Sequence, residues 1–260
     1  MRNLIDWGRA YGVDLIRAVR SLHATPGFFR DLLALHRQLQ VAARPMPWGR
    51  LYPCLTDKHA TSGTIDGHYF QQDLLVAQRI HRSHPMRHVD VGSRVDGFVA
   101  HVAAFREIEV FDIRPIYKEV PNIIFRQADF MGELDEKFVE YCDSVSCLHA
   151  LEHFGLGRYG DPIRYDGYLL GLNNLFKVLA HGGTLYLSLP IGPERIEFNA
   201  HRVLSLDHLM SLFGQKWKVK SFSCIDDKGR LFTDVPLSAE SVGSNFGCNY
   251  GCGIFELLKE

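Results

Sequence analysis

Apolar residues along the first forty positions recur at helical spacing, with Leu15, Ile16, Val19 and Leu22 on one face and Phe28, Leu32, Leu35 and Leu39 on another. This pattern predicts two helices over residues 1 to about 43, broken at Thr25-Pro26-Gly27, because proline removes a backbone donor and glycine weakens a helix. Pro45, Pro47, Gly49 and Pro53 then punctuate an irregular stretch over 44–67. Helical spacing resumes over His68–Arg82 and stops at Ser83-His84-Pro85. From Arg87 onward short apolar runs alternate with helical ones, the pattern of parallel strands joined by crossover helices. Seven strands are predicted: His88–Val91, Glu107–Phe111, Ile123–Gln127, Ser144–Cys147, Thr184–Leu189, Trp217–Phe222 and Gly253–Leu258. The last two flank a long loop, Asp226 to Gly251, and suit an antiparallel closing hairpin at one sheet edge. The expected architecture is α/β: a seven-stranded, mostly parallel sheet with an antiparallel closing strand over 68–260, preceded by a helical extension and irregular segment over 1–67.

Composition narrows the partners. With 29 Lys and Arg against 30 Asp and Glu among 260 residues, no global field favours nucleic acid or an anionic membrane, so a small or neutral partner is expected. No apolar run approaches the ~18 residues of a membrane span, and no signal peptide is visible. The basic and apolar residues of Ile5–Val41 leave peripheral membrane contact through the N-terminal helices open, beside the plainer reading of packed helices. Cys54, Cys142, Cys147, Cys224, Cys248 and Cys252 show no C-x-x-C pairing and read as reduced thiols of a cytoplasmic protein. Cys248 and Cys252 are close in sequence, a weak signal for a ligand pair against simple packing.

The chemistry concentrates at strand ends. The first strand enters Asp90-Val91-Gly92-Ser93 before a helix through Phe98–Val102, which places backbone amides and a helix start beside a ligand. About twenty residues on, the second strand ends at Phe111-Asp112, where a carboxylate accepts hydrogen bonds from ribose hydroxyls. The third leads into Ala128-Asp129-Phe130, a carboxylate for an adenine amino group with an aromatic beside it.

These carboxylates, followed by Asp143–His153 with Leu148 at the fourth strand's end, resemble class I S-adenosylmethionine-dependent methyltransferases over residues 87–258. Leu175–Leu185 is similar to that family's helix, glycine turn and fifth strand. The resemblance implies a Rossmann-like sheet holding S-adenosylmethionine at Asp90, Gly92, Ser93, Arg94, Asp112, Asp129, Phe130 and Leu148. More narrowly, His68–Asp73 with Asp90–Phe98 resembles an uncharacterised branch associated with bacterial surface-polysaccharide genes, which implies a glycan-related acceptor. One departure stands out: Arg94 and Asp96 occupy later positions of the usual D-x-G-x-G-x-G turn, where glycine lets the backbone approach the ligand. Either Arg94 pairs with the methionine carboxylate, or the turn has lost its binding role.

His149, Glu152 and His153 share one face if a helix begins just after the fourth strand. The spacing is similar to the E-x-x-E-H cluster of metal-dependent ribose and ubiquinone-type O-methyltransferases, with His149 in place of the first glutamate and His201 completing the set. Three histidines and a carboxylate favour zinc, manganese or iron over magnesium. Two other readings stand beside the metal site: a metal-free polar pocket with His153 or His201 as base, and purely structural roles. Arg158, Tyr159, Arg164 and Tyr165, in the glycine-rich stretch 155–167, are candidates to cover an acceptor, as are His68, Tyr69, Gln72 and Asp73. The leading expectation is an O-methyltransferase acting on a sugar or other small acceptor. The alternatives are a non-catalytic methyltransferase-like subunit of surface-polysaccharide assembly and a metal-dependent hydrolase, for which H-x-x-E-H also serves as a motif.

Overall fold

The computed structural model describes residues 2–63, 65 and 67–260. It falls into two units, Met1–Thr64 and Ile65–Glu260. In the first, α1 (Arg2–Ala10) and α2 (Leu15–Gln40) are separated at Tyr11–Asp14, where the Asp14 side chain accepts the Arg17 N–H at 3.0 Å and caps α2. The expected break at Thr25-Pro26-Gly27 is absent. Pro26 lies inside α2, which runs on through it, while Thr25 Oγ1 donates to the Ser21 carbonyl at 2.9 Å. A single proline costs one backbone bond, and the helix-favouring residues on both sides outweigh it. Leu15, Val19, Leu22 and Leu33 of α2 are exposed. No helix among the described residues is long and apolar enough to cross a membrane.

The second unit opens with α3 (His68–Ser83), which buries Val76, Ala77 and Ile80. Then follow β1 (His88–Val91), a π-type turn at Val95–Val99 running into the short α4 (Ala100–Ala103), β2 (Ile108–Asp112), β3 (Ile123–Gln127) and β4 (Cys142–Leu148). α5 (Gly167–Val178) leads to β5 (Leu179–Ile191), and a small hairpin of β6 (Arg195–Glu197) and β7 (His201–Val203) precedes α6 (Leu206–Phe213). The chain closes with β8 (Trp217–Ile225), β9 (Leu231–Phe232), α7 (Ala239–Gly243) and β10 (Gly251–Lys259).

The eight-stranded sheet has the order β3-β2-β1-β4-β5-β10-β8-β9. β1 to β5 are parallel, and β10 runs antiparallel to both β5 and β8. The seven expected strands are therefore present, with β5 and β8 longer than anticipated, and β9 added at the margin. The expected antiparallel closing hairpin stands toward one sheet edge as β8 and β10, with β10 inserted between β5 and β8. Its sequence explains this: Ile254, Phe255 and Leu257 point to both faces and are fully buried, as an interior strand requires. One face of the sheet packs Val89, Val91, Val145, Leu187 and Phe255 against α5 and α6, and the other packs Val110, Tyr186 and Ile254 against α3 and α4. β1 thus sits centrally, and its carboxyl end opens at the reversal of strand order, where open α/β sheets bind ligands.

Candidate active site at the carboxyl edge of the sheet

The turn after β1 is built around Ser93. Its backbone N–H and hydroxyl donate to the two Asp90 oxygens at 3.0 and 2.6 Å, and its Oγ accepts the Leu148 N–H at 3.0 Å, tying β1 to β4. Ser146 Oγ donates to Asp90 Oδ1 at 2.6 Å, and His88 bonds Ser144 and Ser146. Asp90 is wholly buried, and burial pushes its carboxyl up to about 7 against those bonds. Burial likewise drives His88 down to about 3. Asp90 is therefore an anchor of the turn and does not line the cavity beside it.

Gly92 has φ +75°, and a Cβ there would stand 3.0 Å from Ala150 Cβ, so the close approach of β1 to the end of β4 requires glycine. Arg94 and Asp96, which replace glycines of the usual turn, pair with each other through two hydrogen bonds of 3.0 and 2.7 Å and are largely exposed. Gly97 is the glycine the packing requires, since a Cβ on it would meet Asp73 Oδ2 at 2.8 Å. Burial raises that Asp73 carboxyl to about 6.

A cavity of about 490 Å³ opens beyond this turn, lined by Gly92, Ser93, Arg94, Asp112, Asp129 and Phe130 on one side. Six of the eight expected cofactor positions thus meet in one space. Leu148 does not, because its side chain packs with Phe98 and Tyr186 in the core beneath α3. Asp129 Oδ1 accepts the Met131 N–H at 2.8 Å, while the Phe130 ring is buried against Phe111, 5.5 Å between centroids. Asp112 is already engaged: Arg114 Nε and Nη2 donate to Oδ1 and Oδ2 at 3.0 and 2.6 Å, and the Arg114 N–H donates to Oδ1 at 2.8 Å. The Arg114 guanidinium also lies 4.3 Å from the Tyr159 ring centroid.

His149 and His153 form the opposite wall with Tyr69, Arg158 and Tyr159. They do not share an α-helical face. His149 follows β4 in the left-handed region, φ +47°, and only Leu151–His153 forms a 3₁₀ turn, so tertiary contacts rather than helical spacing place the rings. His149 Nδ1 bonds Glu152 Oε1 at 2.7 Å and Nε2 bonds His68 Nδ1 at 3.1 Å, leaving neither nitrogen free. Burial works against a charged His149, but Cys252 and Glu152 outweigh it and raise the group well above the usual histidine range. Glu152 is itself buried, which opposes ionisation, yet His149 holds it below the usual carboxylate range. His153 differs. Its Nδ1 donates to the Ala200 carbonyl at 2.6 Å, and burial lowers its basicity, so the ring is neutral with a lone pair on Nε2.

His201 stands outside the cavity, with Nε2 3.2 Å from Glu197 Oε2 but not in hydrogen-bond geometry. The ligand atoms of His149, Glu152, His153 and His201 therefore do not converge. Among the described residues, the three-member grouping within mutual reach is His68, His149 and Cys252. His68 carried a weaker sequence signal as a lid residue, and Cys252 only a distant pairing with Cys248, which instead contacts Cys224. Arg202 was not anticipated at all. It is buried, and its guanidinium donates to the carbonyls of Glu152, Phe154, Arg164 and Tyr165 at 2.6 to 3.2 Å, binding the stretch 155–167 to the 3₁₀ turn. Within that stretch Asp161 accepts the N–H groups of Gly155, Gly157 and Tyr159.

The sheet order, the inserted antiparallel strand and the cavity at the carboxyl edge of β1 to β4 define a class I methyltransferase-type, Rossmann-like fold. The chain belongs to the family described as "Caenorhabditis protein of unknown function, DUF268", whose profile matches residues 101–233. Among solved structures it is similar to the [4+2]-cyclase SpnF, at 14% identity over 74% of this chain and 83% of that one, with a TM-score of 0.50. It is also similar to the N-methyltransferase NodS from Bradyrhizobium japonicum WM9 in complex with S-adenosylhomocysteine, at 12% identity, 75% and 89% coverage and a TM-score of 0.49. A third is the Burkholderia thailandensis 1,6-didemethyltoxoflavin N1-methyltransferase, at 14% identity, 72% and 78% coverage and a TM-score of 0.48. No curated protein matches the chain.

Proposed function

We propose that the protein is an S-adenosylmethionine-dependent methyltransferase that transfers the methyl group to a hydroxyl of a sugar or other small acceptor. The observation that carries this reading is the single cavity in which the Gly92–Ser93 turn, Asp112, Asp129 and Phe130 face His149 and His153. Its size suits a nucleoside cofactor together with part of an acceptor. Asp112 and Asp129 would hold the ribose and adenine, and Gly92 would let the backbone lie close to the ligand. When bound, S-adenosylmethionine supplies an electrophilic methyl group. The chain supplies position and a base: the Ala200 carbonyl fixes the His153 tautomer, so Nε2, 3.8 Å from Glu152 Oε1, is the nitrogen that would take an acceptor proton. The resemblance of His68–Asp73 and Asp90–Phe98 to the polysaccharide-associated branch favours a glycan hydroxyl as acceptor.

Titration calorimetry of the full chain with S-adenosylmethionine and S-adenosylhomocysteine tests the reading. Binding in the micromolar range, lost in Asp129→Ala, supports it; no heat at millimolar ligand overturns it. One observation favours a second reading, a non-catalytic binding subunit: Asp112 is closed by Arg114, so the carboxylate that would bind the ribose is not free as it stands. That reading gains if the cofactor fails to bind while Arg114→Ala restores binding.

A further inference from the structure

His68, at the start of α3, meets His149, at the end of β4, across a gap of 3.1 Å between Nδ1 and Nε2. Cys252 on β10 lies beside them, wholly buried, with its sulfur within 4.8 Å of a ring nitrogen of each. Three distant segments of sequence thus bring two imidazole nitrogens and a thiol to one point, behind the cavity wall that His149 and Tyr69 form.

The surrounding bonds prepare these atoms as ligands. Glu152 accepts the Nδ1 hydrogen of His149 at 2.7 Å, so Nε2 is the ring nitrogen left to take a metal once its proton is displaced. A carboxylate on the far nitrogen is the usual support of a metal-bound histidine, fixing its tautomer and orientation. The Tyr250 ring stacks on the His68 ring, 5.3 Å between centroids. The 3.1 Å separation accommodates one proton between the two nitrogens, and a cation bound by both takes that proton's place. Beside the trio, Glu152 Oε2 is buried without a hydrogen-bond partner. Two nitrogens bound at ~2.05 Å to a tetrahedral zinc stand about 3.3 Å apart, close to the separation seen.

The geometry points to a zinc-type metal site formed by His68 Nδ1, His149 Nε2 and Cys252 Sγ, with Glu152 as the positioning residue behind His149. It is distinct from the set His149, Glu152, His153 and His201 expected from sequence spacing. Two nitrogens and a sulfur suit borderline-soft ions of the zinc and cobalt kind, and three protein ligands leave one position for a small ligand such as water. A role for the ion in holding His149 at the cavity wall rests on the methyltransferase reading above; the site itself does not.

Chelator-treated full-length protein titrated with Zn²⁺ and, separately, Co²⁺ tests the site. One equivalent of Zn²⁺ is expected per chain, and Co²⁺ is expected to give a thiolate-to-cobalt charge-transfer band. Cys252→Ser removes the band, His68→Ala weakens Zn²⁺ at least 100-fold, and Glu152→Gln weakens it about 10- to 100-fold. His153→Ala and His201→Ala keep stoichiometry and affinity. Circular dichroism of each variant separates lost ligation from lost folding, and the near-isosteric serine keeps the cobalt readout available. Absence of stoichiometric metal, which leaves a shared proton as the occupant, overturns the proposal. So does a charge-transfer band retained in Cys252→Ser. Cofactor calorimetry is independent of these outcomes, so failure here and failure of the methyltransferase reading are distinguishable.

Discussion

Arg114 closes over Asp112, two residues before it in the chain, with three hydrogen bonds of 2.6 to 3.0 Å that occupy most of the carboxylate's accepting capacity. A ribose that needs both oxygens has to displace the guanidinium, which already rests near the face of Tyr159. Because the Arg114 side chain is well exposed, the pair is worth only ~1 kcal/mol. Arg114→Ala is therefore expected to tighten S-adenosylhomocysteine about fivefold in calorimetry, whereas Asp112→Asn weakens it. Tenfold weaker binding in Arg114→Ala would show instead that the arginine holds the ligand.

The two buried groups of β1 give opposite pH dependences. Asp90 has a folded-state value of about 7, above its ordinary 3.8, so its contribution to stability is full below pH 3.8 and is lost as pH rises through 7. His88 has a folded-state value of about 3, below its ordinary 6.5, so its contribution is present above pH 6.5 and is lost as pH falls toward 3. Between pH 4 and 6.5 the slopes oppose each other. Urea unfolding across that window should show Asp90→Asn losing stability on acidification and His88→Gln gaining it. The same sign of slope in both variants would contradict this account.

The glycine-rich stretch depends on two residues with different jobs. Gly155 has φ +80°, and a Cβ on it would stand 2.0 Å from the Arg164 carbonyl oxygen, so Gly155→Ala forces the loop open at a cost of about 1–3 kcal/mol. Arg202→Met removes a buried guanidinium from four carbonyls, of which only that of Arg164 keeps another donor, the Gly167 N–H, a loss of ~3 kcal/mol. Both variants should melt lower and be cut by protease within 155–167 faster than the unmodified protein. Unchanged cleavage would show that the loop holds itself through Asp161 alone.

His153 and His201 separate cleanly under substitution once an acceptor is in hand. On the proposed reaction His153, with its tautomer set by the Ala200 carbonyl, would be the base, and His153→Gln is expected to lower kcat by about 10²- to 10⁴-fold with little change in KM. His201 does not line the cavity, so His201→Gln should stay within a few-fold of the unmodified protein. The reverse ranking would place the base on the hairpin of β6 and β7.

Local periodicity carried much of the fold. β1, β3 and the ends of α3 are legible because their apolar runs are short, dense and bounded by turn residues, and the carboxylates that close β2 and β3 follow at strand ends. Pro26 misled, because the rule that proline ends a helix describes an average cost, and α2 absorbs it. β9 and the hairpin of β6 and β7 were invisible, as two- and three-residue strands have no period to read.

The sequence by itself determined the sheet, the turn at Gly92-Ser93 and the presence of carboxylates and histidines at the ends of successive strands. Those follow from alternation and spacing within a few residues of chain. Which of these groups meet was decided only by the tertiary structure. The i, i+3, i+4 spacing of His149, Glu152 and His153 implied a helix, but the left-handed backbone at His149 turned its ring toward His68 and Cys252, 81 residues before and 103 after it in the chain. Contacts of that range depend on how α3 and β10 pack against β4 and β5, and no pattern local to one segment encodes them.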